Sequence, residues 1–449
     1  MLSYLRKKTK SIMIFVAVVF AASMFYGVAM GRGQGGSSGP RGFVKVDGKS
    51  IDPVRFNEIS SRIIRQFGEE VNIQDLAFIE NLSLQQTIDF TLILNQAKKK
   101  VRVANREVNL ALESVMKGEN FKSAKDFETA LKRMGMNMAS FKKMIKDDLL
   151  VQKMITKTRN DVKVLPEDMR EISASHILVS NEAEANDLLV KVKAGEDFAA
   201  LAEQYSKDPG SGKKGGDLGY FGTGMMVEPF EKAAFALKVG EISEVVKSPF
   251  GYHIIKVTDS RLRTFTGEEK DLEKAALADK QARAYQKWLA ELRENAKIEI
   301  IDSALKANDL RFKGRIWEAI PEYKKAIEQQ PMNPMLRVYL ADTYLMMGQK
   351  DKAFEEYEAA INVDGGNPNL YLILAKAYEK AEKKDKAIET YKRASMVAAD
   401  DKKRHEELRD AFKELKAWPE YQSEQAEIKR IEKKEKFEAS LSATPETGN

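Results

Sequence analysis

Apolar residues recur along most of this chain at spacings of three and four, which is the period of an amphipathic helix. Two such stripes lie in its first third: Phe56, Ile59, Ile63 and Phe67, and then Phe141, Ile145 and Leu149. The pattern changes around His176 and His253, where the runs ISASHILVS and SPFGYHIIKV are typical of buried or half-buried strands. We therefore predict a mostly helical chain in which two neighbouring strands bring both imidazoles to the floor of one small α+β domain.

The ordered part of the chain is expected to begin with FVKVDGKSI, residues 43–51, where Asp47-Gly48 between apolar runs indicates a tight hairpin. Asp52-Pro53, directly behind it, is a suitable N-cap and first-turn pair for a helix. The preceding residues 31–42, GRGQGGSSGPRG, have the composition of a flexible linker.

The helical region before His176 is rich in methionine: Met134, Met136, Met138, Met144 and Met154. Methionine adapts to irregular partners, so an exposed set would suit loose binding of varied apolar segments. The alternative is that these side chains are ordinary core residues.

Residues 12–30 are uncharged and mostly apolar, and they could form a helix that crosses a hydrocarbon core of about 30 Å. Basic residues are denser before this stretch than after it: Arg6, Lys7, Lys8 and Lys10 precede it, and Arg32 and Arg41 follow. The bias places the N-terminus in the cytoplasm and the bulk of the chain outside. A cleaved signal peptide is the alternative because Ala21, Ala22 and Ser23 are small, but no clear A-x-A site follows the apolar region. We expect an uncleaved, single-pass anchor in the cytoplasmic membrane.

The C-terminal part of the chain has an internal repeat of 34 residues. Alanine and tyrosine mark it: Ala319, Ala353 and Ala387; Tyr323, Tyr357 and Tyr391; Ala326, Ala360 and Ala394. Small alanines allow helices to approach closely, and we interpret the tyrosines as packing residues between helices. The segments resemble tetratricopeptide repeats. The resemblance implies an all-α array over residues 302–416 that ends in a polar capping helix. The resemblance also implies a concave face that binds a peptide or a partner protein.

Beyond the repeats, residues 417–449 are expected to form a charged helix and a disordered tail. His405, which lies among the charged residues of the capping helix, is expected to be solvated.

Composition excludes several classes of function. The chain has 449 residues, enough for two to four domains, and its 74 basic and 68 acidic residues nearly cancel to a net charge of +6. No clustered basic face with interleaved aromatic residues is present, so a dedicated nucleic-acid-binding function is not expected. The absence of cysteine excludes disulfides, thiolate zinc sites and a cysteine nucleophile.

The region from Ile172 to Val257 contains five ordered motifs: SHILV, FAALAEQYSKDP, GGDLGYF, MVEPFEKAAFAL and FGYHIIKV. Together they resemble a parvulin-type peptidyl-prolyl cis/trans isomerase domain over residues 171–260. Such an enzyme acts on X-Pro bonds, whose isomers differ by only about 0.5–1 kcal/mol but interconvert over tens to hundreds of seconds. Because no bond is broken, an apolar cup with a few fixed polar groups suffices, and neither a cofactor nor a metal is expected.

The resemblance implies roles for eight residues. The cup for the proline ring is assigned to Leu218, Met226 and Phe230, with Phe221 nearby, and the catalytic set to His176, Asp208, Ser248 and His253. The paired histidines are expected to hydrogen-bond across the pocket floor, with coupled tautomers if both are neutral. Simpler readings stay open: core packing for the apolar residues, a structural histidine pair, a turn role for Asp208 and an exposed turn serine at position 248.

Other features narrow the chemistry. Gly215 and Gly216 allow a close backbone path ahead of Asp217, without the context of a phosphate-binding loop. The loop after the first strand, SNEAEAN, is short and acidic, which argues against recognition of a phosphate before proline. A metal site at His176, His253 and Asp208 is disfavoured by the apolar frame, and a serine hydrolase would need a G-x-S-x-G turn that is absent.

The order of hairpin, helices and isomerase region resembles SurA- and PpiD-like periplasmic chaperones. That resemblance implies a helical chaperone domain over residues 43–170, completed by the segment 267–300, with the α+β parvulin domain inserted into it. Residues 1–30 are expected to form a cytoplasmic tip and the membrane anchor. The chain is predicted to be a prolyl isomerase and chaperone for exported or envelope proteins. Its partners would be unfolded or extended proline-containing polypeptides on the periplasmic side. The alternative is a catalytically weak holdase or assembly scaffold that uses the same fold for binding.

Overall fold

The computed structural model describes residues 42–67, 75–133, 136–263 and 269–442. The expected anchor at residues 12–30 lies outside the described residues, and within the described ranges no helix is both long and apolar enough to span a bilayer. The chain divides into two compact units. The first comprises the residues up to Leu92, Ala104–Lys146 and the residues from Ala296 onward, and the second comprises Ile93–Val103 and Asp147–Asn295.

The first unit begins with a hairpin of β1 (Val44–Val46) and β2 (Lys49–Ser50). Asp47 and Gly48 have φ values of 51° and 76°, as a two-residue turn with two left-handed positions requires. The predicted hairpin is therefore confirmed.

Five helices follow: α1 (Pro53–Phe67), α2 (Leu76–Lys100), α3 (Asn105–Gly118), α4 (Ala124–Arg133) and α5 (Met138–Asn160). The backbone N–H of Val54 donates to Asp52 Oδ1 at 2.9 Å, which confirms the predicted cap of α1. Of the first predicted stripe, Ile59 and Ile63 are buried, whereas Phe67 at the end of the helix is largely exposed. The second stripe is buried throughout. Met154 is buried, Met136, Met138 and Met144 are half-buried, and Met134 lies outside the described residues.

The second unit contains a four-stranded antiparallel sheet of β3 (Arg170–Val179), β4 (Asp217–Gly222), β5 (Val246–Ser248) and β6 (Gly251–Leu262), in the order β4-β3-β6-β5. Its helices are α6 (Glu182–Lys193), α7 (Phe198–Tyr205), α8 (Glu228–Ala236) and α9 (Glu269–Glu294). Ile177 and Ile254 face a core with α6 and α7, whereas Ala174 and Ile255 face a core with α8. The predicted α+β arrangement with two neighbouring histidine-bearing strands is confirmed.

After α9 the chain returns to the first unit through β7 (Ile298–Ile300), which pairs antiparallel with β1. Segments from both sides of the isomerase-like region therefore share one sheet, in the order β2-β1-β7. Of the segment 267–300, α9 belongs to the second unit and β7 to the first.

The repeat region is a series of antiparallel helix pairs. Its helices are α10 (Ser303–Phe312), α11 (Ile316–Gln329), α12 (Pro334–Met346), α13 (Lys350–Val363), α14 (Pro368–Lys380) and α15 (Lys384–Val397), followed by α16 (Lys402–Glu414) and α17 (Trp418–Ser442). All nine repeat-marking alanines and tyrosines are buried, as predicted. Each repeat tyrosine also donates its hydroxyl to a polar side chain of the preceding helix; for Tyr323 the acceptor is Asn308 Oδ1, at 2.6 Å.

The expectation that His405 is solvated is wrong. Its side chain is buried between α16 and α17, where Nδ1 lies 2.6 Å from Glu424 Oε2 and Nε2 lies 2.8 Å from the carbonyl oxygen of Ala399. His405 has charged neighbours in the sequence, which suggests an exposed position. The helix that covers it begins thirteen residues later, at Trp418. Burial here is decided by a packing partner rather than by the local pattern.

Candidate active site

Strand register brings the two predicted histidines together. His176 lies opposite Ile255 in the antiparallel β3–β6 pair, and Leu178 lies opposite His253, so the two histidines are diagonal neighbours on one face of the sheet. Their Nδ1 atoms are 3.2 Å apart, and their rings are 5.4 Å apart and nearly parallel. Both side chains are buried, as expected for residues on the floor of a pocket.

A serine holds the outer nitrogen of His253. Ser248, at the end of β5, places its Oγ 2.6 Å from His253 Nε2. The same oxygen accepts the backbone N–H of Phe250 at 3.0 Å, which fixes the position of the hydroxyl within the turn between β5 and β6. The predicted proximity of Ser248 to the pair is therefore observed.

At the other end of the pair, Asp208 lies beside His176. Its Oδ2 is 3.1 Å from His176 Nε2 and accepts the backbone N–H of Ser211, while its Oδ1 accepts the backbone N–H of Gly210. Asp208 is therefore both a turn residue and a neighbour of the histidine pair, because the turn that contains it directs the carboxylate towards the imidazole of His176.

Ser211 was missed by the sequence interpretation. Its hydroxyl donates to Asp208 Oδ2 and lies 3.0 Å from His176 Nε2, and the residue is only 2% exposed. The available signal was its position three residues after Asp208 in the turn SKDPGSG, where a serine hydroxyl can meet the aspartate carboxylate. A turn-rich segment of glycine and serine nevertheless looks like an ordinary exposed loop.

The electrostatics of the cluster favour an ionised Asp208 and a neutral His253. Burial alone would raise the pKa of Asp208, but hydrogen bonds from Ser211 and His176 outweigh it and hold the pKa at about 2. Burial, together with the nearby His176, lowers the pKa of His253 to about 4. At neutral pH the site therefore carries a carboxylate at one end and an uncharged ring in the middle.

When both imidazoles are neutral, one set of tautomers satisfies every contact. The ionised Asp208 can only accept, so His176 carries its proton on Nε2 and leaves Nδ1 as an acceptor. His253 then donates from Nδ1 and accepts the Ser248 hydroxyl at Nε2. The hydrogen bonds consequently run in one direction, from Ser248 through both rings to Asp208.

The apolar wall of the pocket is built by α8, by the loop before it and by Leu218 of β4. Phe230 lies edge-on to both imidazoles, with ring centroids 5.6 Å from His176 and 5.2 Å from His253. Leu218 and Met226 are half-buried members of the same apolar cluster, and they leave surface open to a ligand. Phe221 is almost fully buried and packs behind Phe230, so it supports the wall rather than forming its surface.

A glycine allows the β4 end of the site to approach β3. Gly216 has a φ of +79°, its carbonyl accepts the backbone N–H of His176 at 2.9 Å, and a β-carbon on it would lie 2.2 Å from the carbonyl oxygen of His176. The close backbone path expected for this glycine pair is confirmed. Among the described residues, no group of three or more metal-ligating side chains is found.

Comparison with known protein families gives matches over most of the chain. Residues 150–261 match the PPIC-type PPIASE domain family, and residues 1–155 match the SurA-like N-terminal domain family. Residues 322–355 and 368–401 each match a tetratricopeptide repeat family.

Individual relatives match about half of this chain. Foldase protein PrsA 4 of Bacillus cereus is 40% identical over 213 residues, which cover 46% of this chain and 74% of that protein. Foldase protein PrsA of a Geobacillus species is 36% identical over 269 residues, covering 58% of this chain and 87% of that protein. The crystal structure of the peptidylprolyl isomerase PrsA from Bacillus anthracis is 33% identical, covers 47% of this chain and 95% of that chain, and has a TM-score of 0.29.

Proposed function

Since this chain belongs to the PrsA foldase family and carries a parvulin-type peptidyl-prolyl isomerase domain, we propose that it isomerises X-Pro bonds by a non-covalent route that uses no cofactor. The observation that carries this proposal is the hydrogen-bonded chain Ser248–His253–His176–Asp208 beneath an apolar wall. Neither a nucleophile nor a metal is needed, because the reaction only rotates an amide bond.

The apolar wall provides the binding energy for the proline ring. Met226 and Leu218 offer half-buried apolar surface beside Phe230, whose ring lies edge-on to the two imidazoles. A ring held there leaves the preceding carbonyl group free to turn, which is the motion that the reaction requires.

The polar floor favours the twisted amide over the planar one. A planar amide carries partial negative charge on oxygen and partial positive charge on nitrogen, and twisting removes the resonance behind this separation. An uncharged His253 and a carboxylate at Asp208 offer no positive charge to stabilise the planar carbonyl oxygen. The site therefore stabilises the twisted amide more than the planar amide, and this difference lowers the barrier to rotation about the X-Pro bond.

The substrate is an unphosphorylated chain. Asn181 caps α6 by accepting the N–H of Glu184, and Glu182 and Glu184 place negative charge in the first turn after β3. Acidic residues at this position repel a phosphate group, so extended segments without phosphate are the better ligands.

The family also supports a role in assisting folding. We place this activity outside the cytoplasm, at the outer face of the membrane, because residues 12–30 are apolar and the preceding residues are basic. The repeats then hold a peptide or partner protein near the membrane. Mass spectrometry of the mature N-terminus tests the anchor, since a chain that begins near Met24 or Gly31 would mean cleavage.

The isomerase proposal is tested by exchange NMR on an unphosphorylated Leu-Pro tetrapeptide with the full chain in detergent. We expect acceleration by the wild type, a large loss for Met226→Ala and Asp208→Ala, and no gain from a phosphoserine before proline. If wild type, His176→Ala and Asp208→Ala were equally slow, the chain would be a holdase or scaffold instead.

A further inference from the structure

A buried carboxylate with partners from three segments lies beside the isomerase sheet. Asp168, just before β3, is 3% exposed. Its Oδ2 accepts the backbone N–H of Leu165 at 2.7 Å and the Lys280 ammonium at 2.6 Å, and its Oδ1 accepts the Thr223 hydroxyl at 3.1 Å. Burial alone would raise the pKa of Asp168, but the bonds with Lys280 and Leu165 lower it, so the group is ionised. It therefore ties a turn, the loop after β4 and helix α9 to one charge.

Helix α9 also contacts the loop after β4 directly. Arg283, one turn after Asp279, donates from Nη2 to Thr223 Oγ1 at 3.1 Å. A β-carbon on Gly224 would lie 1.8 Å from Arg283 Nη1, so the guanidinium group occupies the space beside this glycine. Asp279 holds both Arg283 and Arg263, at 3.3 Å and 3.2 Å. One face of α9 is thus fitted to the loop backbone.

This loop, residues 223–227 between β4 and α8, carries part of the proline cup. Met226 lies within it, and α8, which bears Phe230, starts immediately after it. On the α8 side, the backbone N–H of Gly224 donates to the Glu231 carboxylate. The position of the cup wall therefore depends on contacts at both ends of a short loop that contains Gly224.

We propose that Lys280 and Arg283 are positioning residues for prolyl isomerisation: through Asp168 and Thr223 they hold the loop that presents Met226 to the substrate. The proposal rests on the isomerase activity proposed above. It extends the functional isomerase to α9, beyond the boundary at residue 260 that the motifs indicate.

The physical reason is the conformational freedom of the loop. Glycine backbone is costly to order, so a short loop that contains Gly224, with a φ of +85°, needs external contacts to stay in one conformation. The buried, charge-assisted hydrogen bonds of Asp168 provide these contacts. An ionised Asp168 without the Lys280 ammonium would strongly destabilise the folded state, so the two groups stay together. An exposed pair on the same helix, Lys287 with Glu228 at 3.4 Å, lacks that burial and contributes little.

The test compares matched variants of the full chain in detergent, with the Leu-Pro peptide as substrate. Thr223→Val removes the hydroxyl that joins Asp168 to Arg283, whereas Thr223→Ser keeps it. We expect kcat/KM to fall about tenfold in Thr223→Val and in Lys280→Met, as a displaced binding wall would cause, and to be retained in Thr223→Ser. Lys287→Met is the control on the same helix face and should match the wild type.

A second readout separates positioning from a general loss of stability. The methyl NMR signal of Met226, identified by its loss in Met226→Leu, should shift or broaden in Thr223→Val and Lys280→Met while the amide exchange of β3 stays protected. Wild-type kcat/KM and an unchanged Met226 signal in both variants would overturn the proposal. An equal loss in Thr223→Ser and Thr223→Val would overturn it as well. An inactive wild type would instead remove the isomerase function on which it rests.

Discussion

His176 Nδ1 and His253 Nδ1 are 3.2 Å apart, so a single proton lies between the two rings when both are neutral. Which ring donates is decided at the far ends of the pair, by the carboxylate of Asp208 and the hydroxyl of Ser248. A change at one end therefore alters the hydrogen bonding at the other, and the four side chains act as one unit. Mutations within such a unit are expected to be non-additive.

The pH dependence of catalysis should report His253. Because its pKa is lowered to about 4, we expect kcat/KM to be constant from neutral pH down to mildly acidic pH and to fall as the pH approaches 4. Protonation would place a positive charge beside the substrate carbonyl and stabilise the planar amide. Exchange NMR needs no coupling protease, so it can follow the rate at low pH. A midpoint near the ordinary value of 6.5 would contradict the burial argument.

The same pKa predicts how the stability of the isomerase unit depends on pH. The folded state binds the His253 proton more weakly than the unfolded chain does, so this contribution is complete above pH 6.5 and is lost as the pH falls from 6.5 towards 4. The free energy of unfolding, measured by urea titration at several pH values, should therefore depend less on pH in this window in His253→Gln than in the wild type.

Ser211→Ala should weaken the site without unfolding it. Loss of the hydroxyl removes a donor from Asp208, so the pKa of that carboxyl should rise from about 2 towards its ordinary 3.8. A net hydrogen bond of about 1 kcal/mol corresponds to a loss of about fivefold in kcat/KM. Ser180→Ala is the matched control, because Ser180 is exposed and its hydroxyl accepts only the Lys207 ammonium. Equal activity of the two variants would mean that Ser211 does not support catalysis.

Gly216→Ala should disrupt the β3–β4 junction far more than Gly219→Ala. Both glycines have positive φ, which costs alanine about 1–2 kcal/mol, but only at Gly216 would the new carbon also meet the His176 carbonyl oxygen, 2.2 Å away. Nothing lies within 4 Å of the corresponding position at Gly219. The extra cost at Gly216 is expected to be about 1–3 kcal/mol, as for other overpacked sites. Hydrogen exchange of the β3 amides measures it, and similar exchange in the two variants would contradict the predicted clash.

The buried pair of His405 and Glu424 should make the docking of α17 sensitive to pH. Both His405 nitrogens face oxygen acceptors, and although burial opposes protonation, the bonds with Glu424 and Ala399 raise the pKa of His405 above 6.5. The stabilisation is therefore complete below pH 6.5 and lost as the pH rises through the raised value.

Hydrogen exchange of α17, corrected for intrinsic rates, checks this at pH 6 and pH 9. Protection should fall with rising pH in the wild type and stay flat in His405→Gln. Other charged groups at this contact are Glu427, which is half-buried, and the exposed ion pairs of Asp400 with Arg430 and Lys434; all remain in both proteins. Protection that does not change with pH in the wild type would contradict a role of the His405–Glu424 pair in docking α17.

The site residues expected from the motifs converge in the structure because their placement depends on strand register. Once His176 and His253 occupy paired strands, alternation puts both on one face, and the local turn places Asp208 beside the first ring. Ser211 could not be recognised with the same ease, since whether a turn serine is exposed or buried depends on what covers the turn. The pairing of β1 with β7 could not be predicted from a local pattern, because the paired residues lie more than two hundred positions apart in the sequence.

The sequence by itself determined the repeat array and the strand pair, because each is encoded by local periodicity: alternation for strands, a period near 3.6 for helices and 34 for the repeats. The residues of the apolar wall were expected only from the resemblance of the motifs to parvulin-type isomerases. Only the tertiary structure decided which polar groups satisfy one another. The buried carboxylate of Asp168 finds Lys280 across 112 positions, and His405 finds Glu424 on a separate helix. A periodic pattern indicates which face of a helix or strand is buried. The partner of a buried charge is instead decided by the packing of elements that are distant in the sequence. That partner is essential because a buried charge without one is costly in free energy.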